Sequence, residues 1–120
     1  MLDHIGIRVA DYERSKNFYG AALAPLGYAL FMEGSSGAGF KKGFIPDFWV
    51  KQGDPATSVH VAFSSDDRAG VDAFYRAALA AGARDNGPPG LRPQYHPNYY
   101  GAFVLDPDGY NIEAVCHKPV

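Results

Sequence analysis

Three side chains in this 120-residue sequence are suited to binding one divalent metal ion together: His4, His60 and Glu113. Two imidazoles and one carboxylate form a ligand set that suits Fe(II), Mn(II) or a similar ion and leaves coordination positions open. An ion held in this way binds two neighbouring oxygens of a small molecule and, as a Lewis acid, stabilises the anion that forms. For this chemistry the fold must bring the N-terminus, the midpoint and the C-terminal segment together.

An internal repeat explains how such distant residues come together. Subtracting 56 from the residue number carries His60-Val61-Ala62-Phe63 onto His4-Ile5-Gly6-Ile7, Phe74-Tyr75 onto Phe18-Tyr19, and Ala77-Ala78-Leu79-Ala80 onto Ala21-Ala22-Leu23-Ala24. A period of this size indicates two copies of one supersecondary unit that pack together or onto a partner chain. We therefore expect a single domain, 1–120, made of a first unit (1–53) and a second unit (58–120).

The first unit is predicted to form a strand, a helix and three further strands. From Leu2 to Val9 apolar residues alternate with the set that contains His4, so one face of the strand is apolar and the other carries the chemistry. Asp11 is placed to cap a helix from about Tyr12 to Ala24 that covers the apolar face. Three short strands are expected at about Ala29 to Glu33, Gly39 to Ile45 and Phe48 to Gln52.

The second unit repeats this order after the linker 53–57. A strand through His60 precedes a helix from about Arg68 to Ala81, capped by Asp66 or Asp67. A loop rich in glycine, proline and aromatic residues is predicted from Asn86 to Tyr100. The unit ends in a hairpin whose strands, Ala102 to Leu105 and Tyr110 to His117, flank the turn Asp106-Pro107-Asp108-Gly109.

These patterns predict an α+β fold in which two βαβββ units pair into a curved mixed sheet, with the helices outside and a cavity inside. Each helix covers one face of its strands, so the opposite faces, which carry His4, His60 and Glu113, line the cavity. By the pseudosymmetry of the repeat, the three side chains converge on one point.

Composition excludes several classes of function. The net charge is −2 and no basic cluster exceeds Lys41-Lys42, which argues against nucleic acid or an anionic membrane as a partner. The single cysteine, Cys116, excludes an internal disulfide and is expected in the core. No apolar run indicates a signal peptide or a membrane span, so a reducing cytoplasm is the expected location.

The sequence resembles the vicinal oxygen chelate superfamily, the glyoxalase, bleomycin-resistance and extradiol-dioxygenase group. The resemblance covers essentially the whole chain and depends on Leu2-Asp3-His4-Ile5, His60-Val61-Ala62-Phe63 and the closing motif Asp106 to Glu113. It implies that His4, His60 and Glu113 match the metal positions of the first, fifth and eighth strands. Glyoxalase I members add a carboxylate from the last strand of the first unit, where this chain has Phe48-Trp49-Val50-Lys51-Gln52 and no acid.

The resemblance implies a metal-dependent enzyme that acts on a small oxygenated molecule by bidentate chelation to Fe, Mn, Zn, Ni or Co. A lyase or isomerase, a dioxygenase and a thiol transferase all stay open, because one scaffold carries many reactions. Glu113 is expected to be a ligand first and a catalytic base second. The alternative is a metal-free protein of the bleomycin-resistance type that holds a drug by aromatic stacking. A homodimer is expected, with the units paired within one chain or exchanged between two.

Substrate selection is assigned to the aromatic loop and to one strand of the first unit. The residues share aromatic surface, hydroxyl groups or positive charge, and they are Trp49, Arg92, Tyr95, His96, Tyr99 and Tyr100. The competing interpretation is an aromatic rim that packs the loop or a subunit interface. In that interpretation His96 and His117 are surface residues and Arg92 pairs with a carboxylate.

Overall fold

The computed structural model describes residues 2–120. The elements in chain order are β1 (Ile5–Val9), α1 (Tyr12–Leu23), a 3-10 turn (Ala24–Leu26), β2 (Ala29–Glu33), β3 (Gly37–Lys41), β4 (Phe48–Gln52), β5 (His60–Ser64), α2 (Arg68–Ala80), β6 (Arg84–Leu91), β7 (Tyr100–Leu105) and β8 (Asn111–Cys116). Within residues 2–120 no helix is long and apolar enough to span a membrane.

The strands form two four-stranded mixed sheets with the same topology. The first has the order β1-β4-β3-β2 and the second β5-β8-β7-β6. In each sheet the outer pair, β1 with β4 and β5 with β8, is parallel and the other pairs are antiparallel. The predicted α+β class and the two βαβββ units are confirmed. The two sheets stay separate and do not close into a barrel.

Equivalent aspartates begin the two helices. Asp11 Oδ1 accepts a hydrogen bond of 3.2 Å from the backbone N–H of Arg14, and Asp67 Oδ1 accepts one of 2.7 Å from that of Gly70. Each carboxylate satisfies a backbone donor that the first turn of a helix leaves free. Both caps agree with the sequence prediction and are related by the offset of 56.

The core lies between each helix and the apolar face of its sheet. In β1, Ile7 and Val9 are buried under α1, whereas Gly6 and Arg8 lie on the opposite face. The two units meet at Phe63, whose ring centroid lies 5.1 Å from that of Phe48 and 5.4 Å from that of Tyr28. These edge-to-face contacts join β5 to the first unit.

A buried aspartate in the β7–β8 turn also joins the units. Asp106 Oδ1 accepts hydrogen bonds from the backbone N–H groups of Asp108 (2.8 Å) and Tyr110 (2.9 Å), and its Oδ2 accepts one from the Tyr19 hydroxyl. Burial raises the pKa of Asp106, although these hydrogen bonds oppose the shift. Burial also raises the pKa of Tyr19, which keeps its hydroxyl protonated as the donor.

Three predicted boundaries were wrong. The stretch from Asn86 to Leu91, predicted as loop, belongs to β6, an edge strand whose prolines need no partner on the open side. The strand predicted at Gly39 to Ile45 is β3, displaced toward the N-terminus because Gly37 pairs with Lys51. β1 begins at Ile5, so His4 precedes the strand that was predicted to contain it.

Candidate metal-binding site

The second sheet brings His60 and Glu113 into direct contact. The parallel register pairs Ala62 with Glu113 and His60 with Asn111, so both side chains project from one face of neighbouring strands. His60 Nε2 lies 3.2 Å from Glu113 Oε1. Two of the three side chains that the sequence indicated therefore lie within reach of one ion.

A backbone carbonyl orients the imidazole of His60. Its Nδ1 lies 3.0 Å from the carbonyl oxygen of Asn111, and because a carbonyl only accepts, Nδ1 carries a proton. Nε2 then faces Glu113, where it donates to the carboxylate in the imidazolium form and presents its lone pair to a cation in the neutral form. Metal-binding histidines use the same arrangement, in which the second ring nitrogen donates to an outer partner and orients the ligand.

The spacing of the pair agrees with coordination to one ion. Ligand bonds of about 2.0–2.2 Å, separated by angles between a right angle and the tetrahedral value, place neighbouring ligand atoms roughly 2.8–3.6 Å apart. The separation of 3.2 Å between His60 Nε2 and Glu113 Oε1 lies in this range.

Tyr99 holds the other oxygen of Glu113. The Tyr99 hydroxyl donates a hydrogen bond to Glu113 Oε2, and the Glu113 side chain is almost fully buried. Burial, followed by this hydrogen bond, raises the pKa of Tyr99, so the phenol stays protonated and remains a donor at neutral pH. Gly101 leaves room for the pair, since a Cβ there would lie 3.2 Å from the Tyr99 ring and 3.3 Å from Glu113 Oε2.

His4 does not join this pair within one chain. Its side chain is 61% exposed, and its Nδ1 lies 2.7 Å from Asp3 Oδ2. His4 and His60 do line one cavity of about 410 Å³. Among residues 2–120 no three His, Cys, Asp or Glu side chains converge as a metal-binding group.

Trp49 occupies the position in the first sheet that Glu113 occupies in the second. Its register partner in β1 is Gly6, the residue that the offset of 56 relates to Ala62. The indole lies flat on Gly39 of β3, where a Cβ would come within 2.7 Å of the ring. Trp49 and His4 line a second cavity, of about 590 Å³, on the face of the sheet opposite α1.

The remaining residues of the aromatic loop form a separate cluster beside Tyr99. The Tyr95 ring packs edge-on against Tyr99 at 4.9 Å. His96 Nε2 lies 2.6 Å from His117 Nδ1, and the two imidazoles stack at 4.8 Å. Both imidazoles lie at the surface, and the sequence did not predict that they pair, because the pairing depends on the conformation of the loop.

Two predicted substrate residues have other partners. The Arg92 guanidinium donates to the backbone carbonyls of Gly90 (2.9 Å) and Pro88 (2.7 Å), whereas sequence reasoning had considered a carboxylate as its partner. The Tyr100 hydroxyl donates to Asp72 of α2 at 2.7 Å, on the helix side of β7.

Sequence reasoning did not identify the Asn111 carbonyl that orients His60, since a backbone group leaves no signal in residue types.

Comparison with known proteins connects this geometry to a family. The family model of the Glyoxalase/Bleomycin resistance protein/Dioxygenase superfamily matches residues 1–114. The chain belongs to this superfamily. The resemblance to the vicinal oxygen chelate group is thereby confirmed.

Several known proteins are similar to nearly the full length of the chain. A glyoxalase/bleomycin resistance protein from Albidiferax ferrireducens T118 is 30% identical, with a TM-score of 0.83 and coverage of 99% of both chains. The uncharacterized protein YqjT of Bacillus subtilis is 29% identical over 96% of this chain and 98% of its own length. The fosfomycin resistance protein FosX from Mesorhizobium loti, at 21% identity and a TM-score of 0.73 over 98% of this chain and 92% of its own, shares the fold.

Proposed function

We propose that this chain is a divalent-metal-dependent enzyme that acts on a small oxygenated molecule by bidentate chelation. The observation that carries the proposal is the pair of His60 Nε2 and Glu113 Oε1, 3.2 Å apart, with the imidazole oriented by the Asn111 carbonyl. A bound ion with open positions would supply Lewis acidity toward two neighbouring substrate oxygens. The metal would be Fe, Mn, Zn, Ni or Co, and lyase or isomerase, dioxygenase and thiol transferase chemistry all remain candidates.

The residues of the second sheet divide the work of such a site. His60 presents the Nε2 lone pair, and Glu113 brings a negative charge into a buried position where it favours a cation. Tyr99 is a positioning residue, because it holds Glu113 Oε2 and leaves Oε1 toward His60. Glu113 is a ligand in this account and becomes a general base only if the substrate displaces it.

The third ligand is His4 of a second copy of the chain, in a homodimer with exchanged units. Support comes from the sheets, which do not close on each other within residues 2–120, and from the exposed imidazole of His4. A twofold dimer would contain two equivalent sites, each with His60 and Glu113 from one chain and His4 from the other. The units, 1–53 and 58–120, would together form a single domain, 1–120. Because Cys116 is free and buried, a reducing cytoplasm remains the proposed location.

Metal content tests the proposed function. Protein purified without a polyhistidine tag and reconstituted with Mn²⁺ or Zn²⁺ is expected to hold about one ion per chain. His60→Ala should abolish binding, and His117→Ala, which removes an imidazole from the neighbouring cluster, should leave it intact. An absence of bound metal in the reconstituted wild type would refute the proposal.

A mixing experiment tests the exchange of units. His4→Ala and His60→Ala chains bind no metal alone, but a co-expressed mixture forms mixed dimers in which one of the two sites is complete. Random association then restores about a quarter of the wild-type metal content. If the mixture stays empty while the wild type binds metal, the ligands come from one chain and the exchange is wrong.

A metal-free binding protein is the second candidate function. Its specific support is that no three-residue metal-binding group exists within one chain across residues 2–120, whereas two cavities with aromatic and apolar walls do. In this alternative, wild type and His60→Ala would bind the same small molecules with equal affinity in the presence of EDTA.

A further inference from the structure

Two positively charged side chains line the cavity of about 590 Å³ on the first sheet. Neither the fold nor the pair of His60 and Glu113 requires them. Arg8 of β1 and Lys51 of β4 are register partners on neighbouring parallel strands, and both line this cavity. Both side chains are exposed, and neither takes part in an ion pair within residues 2–120. Like charges directly opposite each other across a sheet destabilise it.

The surroundings do not neutralise the two charges. Asp3 is the carboxylate among the residues that line this cavity, and it is hydrogen-bonded to His4. The net charge of the chain is −2, so two neighbouring cations without a carboxylate partner differ in sign from the chain as a whole. The cost of holding Arg8 beside Lys51 is explained if an anion bridges them in the working protein, because such hydrogen bonds are charge-assisted.

The indole of Trp49 forms an aromatic surface two residues away from Arg8 and Lys51 along the same strands. The row Gly6, Trp49 and Gly39 crosses the sheet two residues before the row Arg8, Lys51 and Gly37. Glycine on either side of Trp49 leaves its indole without a neighbouring side chain in that row. Two residues along a strand span roughly 6.6 Å, so one small molecule can contact both the indole and the two cations.

We propose that this cavity binds an aromatic carboxylate, with its ring stacked on Trp49 and its carboxylate held by Arg8 and Lys51. The volume is that of a small-molecule site. His4 lines both this cavity and the one it shares with His60, which places the bound anion next to the proposed metal site. That the ligand is the substrate rests on the proposed function, whereas its binding by Arg8, Lys51 and Trp49 does not.

Calorimetric titration with 2-naphthoate, and with the neutral 2-naphthamide of the same shape, tests the inference in metal-free wild-type protein. Naphthoate is expected to bind at least about tenfold more tightly than naphthamide, because only the acid makes charge-assisted hydrogen bonds. Added salt should weaken the binding of naphthoate and leave the binding of naphthamide unchanged. Trp49 is the single tryptophan, so quenching of its fluorescence reports contact with the ring directly.

Variants locate the anion. The double variant Arg8→Gln, Lys51→Gln should lose at least about tenfold in naphthoate affinity and keep its naphthamide affinity. Arg84→Gln combined with Lys118→Gln removes two exposed cations from the second unit and should change neither. Trp49→Leu should weaken both ligands.

Three results would overturn the inference: equal binding of acid and amide, wild-type naphthoate affinity in the Arg8 and Lys51 double variant, or wild-type affinity in Trp49→Leu. His60→Ala separates this inference from the proposed function. Naphthoate binding that persists in His60→Ala and in EDTA supports the anion site, even if the protein never binds metal. Naphthoate binding that requires metal and His60 places the carboxylate on the ion, which refutes the site at Arg8 and Lys51 and supports the enzyme.

Discussion

Trp49 and Glu113 stand at equivalent positions in the two units, each opposite the residue two places after the unit's histidine. In the second unit this position holds a buried carboxylate in contact with His60, and in the first it holds an indole lying on Gly39. The same backbone plan thus supports a His–Glu pair on one sheet and an aromatic, cationic surface on the other. In our proposals, the duplicated unit divides binding of the ion and binding of the ligand between its two copies.

Both units should contribute equally to the stability of the fold, although their surfaces differ. The largest expected effect tests this expectation. Phe18 and Phe74 are equivalent helix residues, both almost completely buried. Replacing either with Ala should cost about 3–5 kcal/mol in the free energy of unfolding. Because Phe63 packs across the junction, urea should unfold each variant in a single transition, with circular dichroism and Trp49 fluorescence coinciding.

Phe44→Ala is the matched control, since Phe44 is 97% exposed and should change the unfolding free energy by less than about 0.5 kcal/mol. If Phe74→Ala unfolds the second unit while Trp49 fluorescence keeps its wild-type midpoint, the units are independent and the shared core is wrong.

Two equivalent tyrosines should differ in their contribution to stability. Tyr19 donates to buried Asp106, whereas Tyr75, at the offset of 56, donates to exposed Asp85 at 3.0 Å. Tyr19→Phe should cost about 1–3 kcal/mol, because it leaves a buried acceptor with one donor fewer, and Tyr75→Phe less than about 1 kcal/mol. Thermal denaturation measures both, and equal losses would contradict the role of Asp106 in joining the units.

Removal of the Tyr99 hydroxyl should weaken metal binding without unfolding the protein. Tyr99→Phe frees Glu113 Oε2, and loss of such an outer hydrogen bond typically lowers metal affinity by about 10–100-fold. Competition with a chromophoric chelator gives the dissociation constant. Tyr95→Phe leaves the hydrogen bond between Tyr99 and Glu113 in place and should bind metal like the wild type. A comparable loss of affinity in that variant would contradict the specific role of Tyr99.

The smallest effect is a pH dependence from Asp106. Its pKa is raised above 3.8 by burial, so between 3.8 and the raised pKa the folded chain holds a proton that the unfolded chain has lost. The stability that this proton contributes is complete below pH 3.8 and is lost as pH rises through the raised pKa. The unfolding free energy of the wild type relative to Asp106→Asn should therefore fall over that interval. A difference that stays constant over that interval would contradict the raised pKa.

Much of the fold could be predicted because the offset of 56 repeats alternation, helix caps and core residues. Asp11 and Asp67 mark the N-termini of the two helices. The alternation of apolar and polar residues in β5 and β8 placed His60 and Glu113 on one face of the sheet. β6 was missed because Gly87, Pro88, Pro89 and Gly90 remove the usual strand signal, although an edge strand tolerates them.

The site was predicted less completely than the fold. Orientation of His60 by a backbone carbonyl leaves no mark in residue types, and the pairing of Arg8 with Lys51 required the strand register. His4 shows the limit of pseudosymmetry, since its ring lies beside Asp3 and not beside His60 and Glu113.

An anomalous difference map from crystals of tag-free protein soaked in Mn²⁺ would test the central claim most directly. We predict one peak per chain, about 2.0–2.2 Å from His60 Nε2 and Glu113 Oε1, with His4 of a second copy completing the ligands. A map with no peak at this pair, or with density only between His96 and His117, would contradict it.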